Sequence, residues 1–248
     1  MSDHDDAARY AAAAGEVLLG LRARADEDES ARWSLGDAGD ALANRRLLEL
    51  LAAEHPDDRV LSEESADDPR RLDAARVWIV DPLDGTREFT EPGRSDWAVH
   101  VALWERDLGV TAAAVALPAL GLVLSTGTPP VVPPADGRRP RIVVSRSRAP
   151  AAARRVAEAL DADLVYLGSA GAKTMAVVLG EVDAYVHAGG QYEWDSAAPT
   201  GVAGAAGLFT SRIDGSELEY NRPDPWLPDL IVCRPELAAD IVAAAAPY

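Results

Sequence analysis

Trp78-Ile79-Val80-Asp81-Pro82-Leu83-Asp84-Gly85-Thr86 is the stretch on which the reading of this chain turns. The apolar run 77–80 reads as a buried strand. Proline and glycine end the strand and force a tight turn. Such a turn can aim the Asp81 and Asp84 carboxylates at one point, together with the backbone carbonyl of Leu83. Two hard anionic groups and a carbonyl suit Mg²⁺ rather than Zn²⁺. Mg²⁺ in such sites shares its shell with phosphate oxygens, so a phosphate ester is the expected ligand. Taken alone, Asp-Pro-x-Asp-Gly is more often a capped turn in which the aspartates satisfy helix or loop amides.

The motif does not stand alone. Upstream, Leu61-Ser62-Glu63-Glu64-Ser65 is a second acidic strand end. Downstream, Glu193-Trp194-Asp195-Ser196-Ala197-Ala198-Pro199 places an aspartate at the start of a small-residue helix. Together the three segments resemble the lithium-sensitive, Mg²⁺-dependent phosphatase superfamily that includes the inositol monophosphatases. The resemblance is strongest to its 3′(2′),5′-bisphosphate nucleotidase branch, the CysQ-type proteins of sulfate assimilation. It runs from about Asp37 to the C-terminus.

Composition sets the outer bounds. With 248 residues and 48% hydrophobic content, the chain can bury a substantial core. A net charge of −17 disfavours nucleic-acid polymers as partners. A small phosphorylated nucleotide is still compatible, because bound cations reverse the sign locally. The lone cysteine, Cys233, excludes an intrachain disulfide and a cysteine-built zinc site. It lies in an apolar run and reads as a core residue. No secretory leader or membrane-length apolar run is evident, so a cytoplasmic protein with no membrane partner is expected.

The organisation changes along the chain. Helical periodicity over 5–24 and 37–55 precedes strand patterns at 59–62, 77–80, 97–106, 110–117 and 122–125, an α+β pattern. Residues 25–34 read as a polar loop. Five prolines within 128–140 mark a linker. Beyond it, strands at 141–144, 164–167, 184–187, 208–211 and 230–233 alternate with helices at 150–160, 170–179, 195–206 and 235–246, an α/β pattern. The expected domains are therefore 1–133, carrying most of the acidic groups, and 139–248, carrying Trp194-Asp195. The resemblance implies that they form a five-layered αβαβα sandwich with the site between the halves.

The resemblance also implies roles. Glu63, Asp81, the Leu83 carbonyl, Asp84 and Asp195 match the family's metal ligands, for two or three Mg²⁺ ions. Asp81 would bridge two ions, and Glu63 would bind one and orient the attacking water. Asp84 and Asp195 would hold the ion nearer the leaving group. Glu64 would orient its neighbour. Thr86, polarised by Asp40, would relay the water's proton, and the Gly85 and Thr86 amides could instead cradle the phosphate. Asp37 stands where many relatives have threonine; it either caps its helix or joins the metal network, with capping favoured. Asp195 also has a reading as a helix N-cap, and the two roles can coincide.

Lys173 is singled out by composition. It is the only lysine among 24 basic residues, which suggests a place where a compact ammonium fits and a guanidinium does not. With Ser169 and His187 it is a candidate substrate contact. His100, in an alternating strand, reads as structural. Tyr192, Trp194 and Trp226 could wall a base or simply pack.

Inositol phosphatases place a glutamate shortly before their Trp-Asp motif, to bind ring hydroxyls. Here Val186-His187-Ala188-Gly189-Gly190 has no carboxylate. Asp214-Gly215-Ser216-Glu217-Leu218-Glu219-Tyr220-Asn221 resembles a segment of the CysQ-like nucleotidases, with Glu217 in place of their proline. Both features favour 3′-phosphoadenosine 5′-phosphate (PAP), with its sulfated form PAPS as a second substrate. An inositol phosphate, fructose 1,6-bisphosphate and a non-catalytic metal-binding scaffold are the alternatives. A homodimer is left open.

Overall fold

The computed structural model describes residues 2–27 and 34–246. Most of the expected loop at 25–34 therefore lies outside the described residues. Its first three residues belong to a helix instead: α1 spans Asp3–Glu27, because Ala7, Tyr10, Ala11, Ala14 and Leu18 form a continuous buried face. Helix α2 (Leu35–Glu54) buries Ala43, Leu47 and Leu51.

Both helices cover one face of the first sheet. That sheet comprises β1 (Arg59–Ser62), β2 (Arg76–Asp84), β3 (Ala98–Glu105), β4 (Gly109–Leu117) and β5 (Leu122–Ser125), in sequence order. Strands β1 and β2 are parallel; the other neighbours are antiparallel. A single turn of helix, α3 (Thr86–Thr90), follows β2.

After the proline-rich segment come β6 (Arg141–Ser145), α4 (Ala151–Ala159), β7 (Asp163–Leu167), α5 (Ala170–Val178), β8 (Ala184–Tyr192) and α6 (Glu193–Ala205). Strands β9 (Phe209–Ser211) and β10 (Trp226–Cys233) and helix α7 (Ala238–Ala245) complete the fold. The second sheet has the order β7-β6-β8-β10-β9, parallel around β6 and antiparallel around β10.

Three hydrophobic clusters show how the layers stack. One lies between α1/α2 and the first sheet, and one between the second sheet and α4/α7. The third, containing α5 and α6, fills the space between the sheets. The result is the expected αβαβα sandwich. Strand β2 shows why both faces of a sheet must be apolar here. Val77 and Ile79 point into the central cluster, while Trp78 and Val80 point into the outer one.

The strand expected to stop at Val80 continues to Asp84. Pro82 is tolerated because the pairing with β3 shifts register between Asp81 and Asp84, where a ladder donor is not needed. The bulge, rather than a tight turn, aims the two aspartates. Strand β8 likewise runs past His187, through Gly189 and Gly190, to Tyr192.

Candidate metal and phosphate site

The bulge in β2 places Asp81 opposite His100 of β3, and directly opposed residues of an antiparallel pair share a face. Here that face looks toward α5 and α6. One ligand atom each from Asp81, Asp84 and His100 lies within 4.8 Å of the other two. His100 is fully buried. Its Nδ1 is 3.0 Å from the Trp194 carbonyl and 3.8 Å from Asp81 Oδ2, and its Nε2 is 3.2 Å from Asp84 Oδ2. Burial pulls its pKa down, but the Asp84 charge outweighs this, and the net shift is upward. His100 is thus part of the acidic centre, not a packing residue of its strand.

Asp81 accepts the Leu83 amide on Oδ1 at 3.0 Å, while its buried Oδ2 has no hydrogen-bond partner. An orphaned buried carboxylate oxygen is costly unless a cation meets it. The surrounding carboxylates strengthen the point. Burial first, then the Asp84, Glu63 and Asp195 charges, push Asp81 well above the usual carboxylate range. Desolvation and the Asp195 charge push Glu63 up to about 7. Burial and the Asp84 charge push Asp195 up to about 6. For Asp84, burial is outweighed by His100, Lys173 and Ser169, which hold it low. Mutually repelling carboxylates around an orphaned oxygen fit a hard divalent cation.

These shifts have a consequence for stability. Free carboxylates titrate near pH 4, whereas Glu63 and Asp195 hold their protons to about 7 and about 6. Their contribution to folded-state stability is therefore full below about pH 4 and is lost as pH rises through about 6 to 7. A bound divalent cation would replace the protons. The rise in Tm on adding the cation should be larger at about pH 8 than at about pH 5 in thermal melts. An equal rise at both would contradict this electrostatic picture.

The remaining expected residues fall around this centre. Glu63 sits on an exposed turn pinned by Asn44 of α2, which accepts from Ser62 Oγ at 2.8 Å and donates to the Glu64 carbonyl and Ser65 Oγ. Glu64 makes its strongest impression on Asp40: burial first and then the Glu64 charge lift Asp40 to about 7. Thr86 Oγ1 lies 3.5 Å from Asp40 Oδ1 and 3.3 Å from the Leu83 carbonyl. Asp37 does not cap α2. Ser34 occupies the cap position and Asp37 the third helical position, where its charge favours the helix N-terminus. Asp195 is likewise third in α6, not the N-cap, and reaches back to accept the Tyr192 amide at 2.6 Å.

Asp195 is held in place by a tie between the halves. The fully buried Arg71 donates to Asn221 Oδ1 at 2.8 Å and to the Arg222 carbonyl at 2.9 Å. Glu193, two residues before Asp195, accepts the Asn221 and Arg222 amides at 2.6 and 2.8 Å.

A cavity of about 280 Å³ has Gly85, Thr86, Arg87, Glu88, Arg146, Gly168, Ser169 and Lys173 among its lining residues. Gly85 adopts φ +89°, and a Cβ there would stand 3.1 Å from Ser169 Cβ, so glycine both makes the turn and lets the halves close. Arg146 pairs with Glu88 at 3.0 Å and Glu91 at 2.8 Å across the halves. Arg87, Arg146 and Lys173 outnumber the one acid, Glu88, on this small cavity, so the balance of its charged lining favours an anion. His187 is not in this lining. Its Nε2 is 2.9 Å from the Gly190 carbonyl and burial lowers its pKa. Tyr192 stacks on Trp194 at 4.7 Å, and Trp226 is 44% exposed.

Comparison with known proteins agrees with this architecture. The inositol monophosphatase family matches residues 3–130 and 133–246. The chain is 54% identical to the 3′-phosphoadenosine 5′-phosphate phosphatase of Mycobacterium bovis, over 94% of this chain and 89% of that protein. It is 30% identical to the 3′(2′),5′-bisphosphate nucleotidase CysQ of Escherichia coli K12, over 77% and 81% of the two chains. Among solved structures, inositol monophosphatase-II of Staphylococcus aureus MSSA476 superposes with a TM-score of 0.80 at 19% identity, over 96% and 93%. CysQ of Bacteroides thetaiotaomicron superposes with a TM-score of 0.73 at 25% identity, over 94% and 97%. Fold, bulged aspartate pair and sequence likeness across nearly the whole chain place this protein in the inositol monophosphatase family.

Proposed function

We propose that this chain is a Mg²⁺-dependent phosphomonoester hydrolase that removes the 3′-phosphate of PAP, giving AMP and phosphate, and that also accepts PAPS. The observation that carries the substrate is the 54% identity, over 94% of the chain, to a protein of that named activity. Orphaned Asp81 Oδ2 and the raised carboxylates around it support the metal.

Glu63, Asp81, the Leu83 carbonyl, Asp84 and Asp195 would hold two or three ions. Bound Mg²⁺ supplies acidification of water, neutralisation of phosphate oxygens and stabilisation of the departing alkoxide. The chain's own residues do the rest. The Gly85 and Thr86 amides, at the start of α3, donate to the phosphate, and Ser169 and Lys173 border the same cavity. Thr86 Oγ1 takes the proton of the attacking water while passing its own to Asp40 Oδ1. A base whose pKa lies at about 7 suits that transfer at neutral pH. Glu63, on its pinned turn, orients the water in line with the scissile bond. The same reading makes 1–133 and 139–248 the two working halves. It places the enzyme in the cytoplasm in sulfate assimilation, with lithium as an inhibitor and a homodimer open to it. Among the described residues, no helix is long and apolar enough to cross a membrane.

The test is phosphate release from PAP, inositol 1-phosphate and fructose 1,6-bisphosphate side by side, with and without Mg²⁺. A clear preference for PAP is expected, and it should disappear in Asp84→Asn. Preference for a sugar or inositol phosphate would overturn the substrate. Unchanged activity in Asp84→Asn would overturn the site.

A further inference from the structure

Ser169 is a non-glycine residue at φ +44° and ψ 131°, in a region that side-chain-bearing residues rarely adopt. The strain places its hydroxyl at a junction. Ser169 Oγ accepts the Ala172 amide at 2.9 Å, capping α5, and donates to Asp84 Oδ2 at 2.5 Å. The Gly171 amide donates to the same oxygen at 2.6 Å, and His100 Nε2 lies 3.2 Å from it. Asp84 Oδ2 is therefore held by two hydrogen bonds from the C-terminal half, with the buried imidazole beside it. Oδ1 is the oxygen left to face a cation.

Lys173 completes the arrangement. It is 5% exposed, and its Nζ donates to the Gly168 carbonyl at 3.1 Å and the Ser169 carbonyl at 2.7 Å. Those carbonyls flank the strained residue on both sides. A flat, larger guanidinium would not fit so enclosed a place, which accounts for a lone lysine in a chain that otherwise uses arginine. The turn is further fixed by the Gly168 amide, which donates to Asp96 Oδ2 at 2.6 Å. A Cβ at Gly171 would meet His100 Nε2 at 2.1 Å, so the turn, the imidazole and Asp84 fit together only with glycine there.

We propose that Ser169 and Lys173 are positioning residues: Lys173 holds the 168–169 peptides, and these aim the Ser169 hydroxyl to lock Asp84 with Oδ1 toward the metal. This inference deepens the function proposed above and rests on its reading of Asp84 as a ligand. It replaces direct substrate contact as the main duty of both residues. It also makes a ligand carried by one half dependent on the closure of the other half over it.

The two possible duties of Lys173 predict opposite signs. An ammonium acting only through its charge opposes a nearby divalent cation, so its removal would tighten metal binding. An ammonium acting as a clamp would loosen binding when removed. The experiment is calorimetric titration of the whole protein with Mg²⁺ alone, without substrate, for the parent, Ser169→Ala, Ser169→Gly and Lys173→Met. Each variant is expected to bind Mg²⁺ about ten-fold more weakly, the usual scale for residues that orient a ligand. The loss of Mg²⁺ affinity should exceed any rise in KM for the nucleotide measured at saturating Mg²⁺. Ser169→Gly keeps the positive φ without strain while removing the hydroxymethyl group, so it reports even where Ser169→Ala folds poorly. Unchanged Mg²⁺ affinity with raised KM would overturn the proposal in favour of substrate contact. Tighter binding by Lys173→Met would overturn the clamp role of the lysine. A parent that binds no Mg²⁺ would instead remove the metal reading of the site, and the proposal with it.

Discussion

Asp81→Asn is expected to lower Mg²⁺-dependent phosphate release by about a thousand-fold or more, a larger loss than any other single substitution in the site. The reason is local. Asp81 Oδ1 is engaged by the Leu83 amide, and Oδ2 is the buried oxygen without a partner. An asparagine that keeps the Leu83 bond turns its NH₂ toward the position of the orphaned oxygen and repels a cation there. One that flips loses the Leu83 bond, which shapes the bulge. The substitution also removes a carboxyl whose ionisation its buried, acidic surroundings oppose. The metal-free protein should therefore melt no lower than the parent, and even somewhat higher, as is common when a strained functional site is neutralised. Activity and thermal melts together check this. Lost activity with a markedly lower melting temperature would make Asp81 a structural residue.

Thr86→Val and Asp40→Asn are each expected to reduce kcat by about a hundred-fold while leaving Mg²⁺ affinity close to that of the parent. In the proposed mechanism the hydroxyl and carboxylate, 3.5 Å apart, act as one relay, so the double variant should lose little more than either single one. The pH profile gives the sharper test. Asp40 must be ionised to accept a proton, and burial together with the Glu64 charge raises its pKa to about 7. With metal saturating, the parent's kcat should rise with pH through about 7 and then level. Asp40→Asn should lack that limb. A limb that persists in the variant would assign the titration to another group.

Much of the candidate site was legible in the linear sequence because its parts are short and self-contained. Val77 to Val80 is apolar on both faces, as a strand between two cores must be, and Asp81, Asp84 and Thr86 follow within six residues. Trp194-Asp195 and the Glu63 turn carried their own signals. What escaped was set by pairing between distant segments. His100 looks like a structural residue until the β2–β3 register puts it opposite Asp81, and a register shift at the bulge cannot be counted from composition. The sequence predicts a strand that ends at Val80, because proline is usually excluded from a ladder. The bulge removes the need for its missing donor. Asp37 reads as a helix cap and Asp195 carries that reading beside metal binding, yet both helices begin two residues earlier, and ends of helices are poorly marked in sequence. Arg71 and Asn44 gave no signal at all. One is an arginine in a polar stretch and the other an asparagine on an apolar helix face, and only the folded chain brings Asn221 to the first and Ser62 to the second.

The nucleotidase reading is tested most directly by following PAP with ³¹P NMR in the presence of Mg²⁺ and identifying the product. The expected result is inorganic phosphate together with AMP, the 5′-phosphate intact, and no reaction once the metal is chelated. Release of the 5′-phosphate, or turnover that continues without metal, would contradict it.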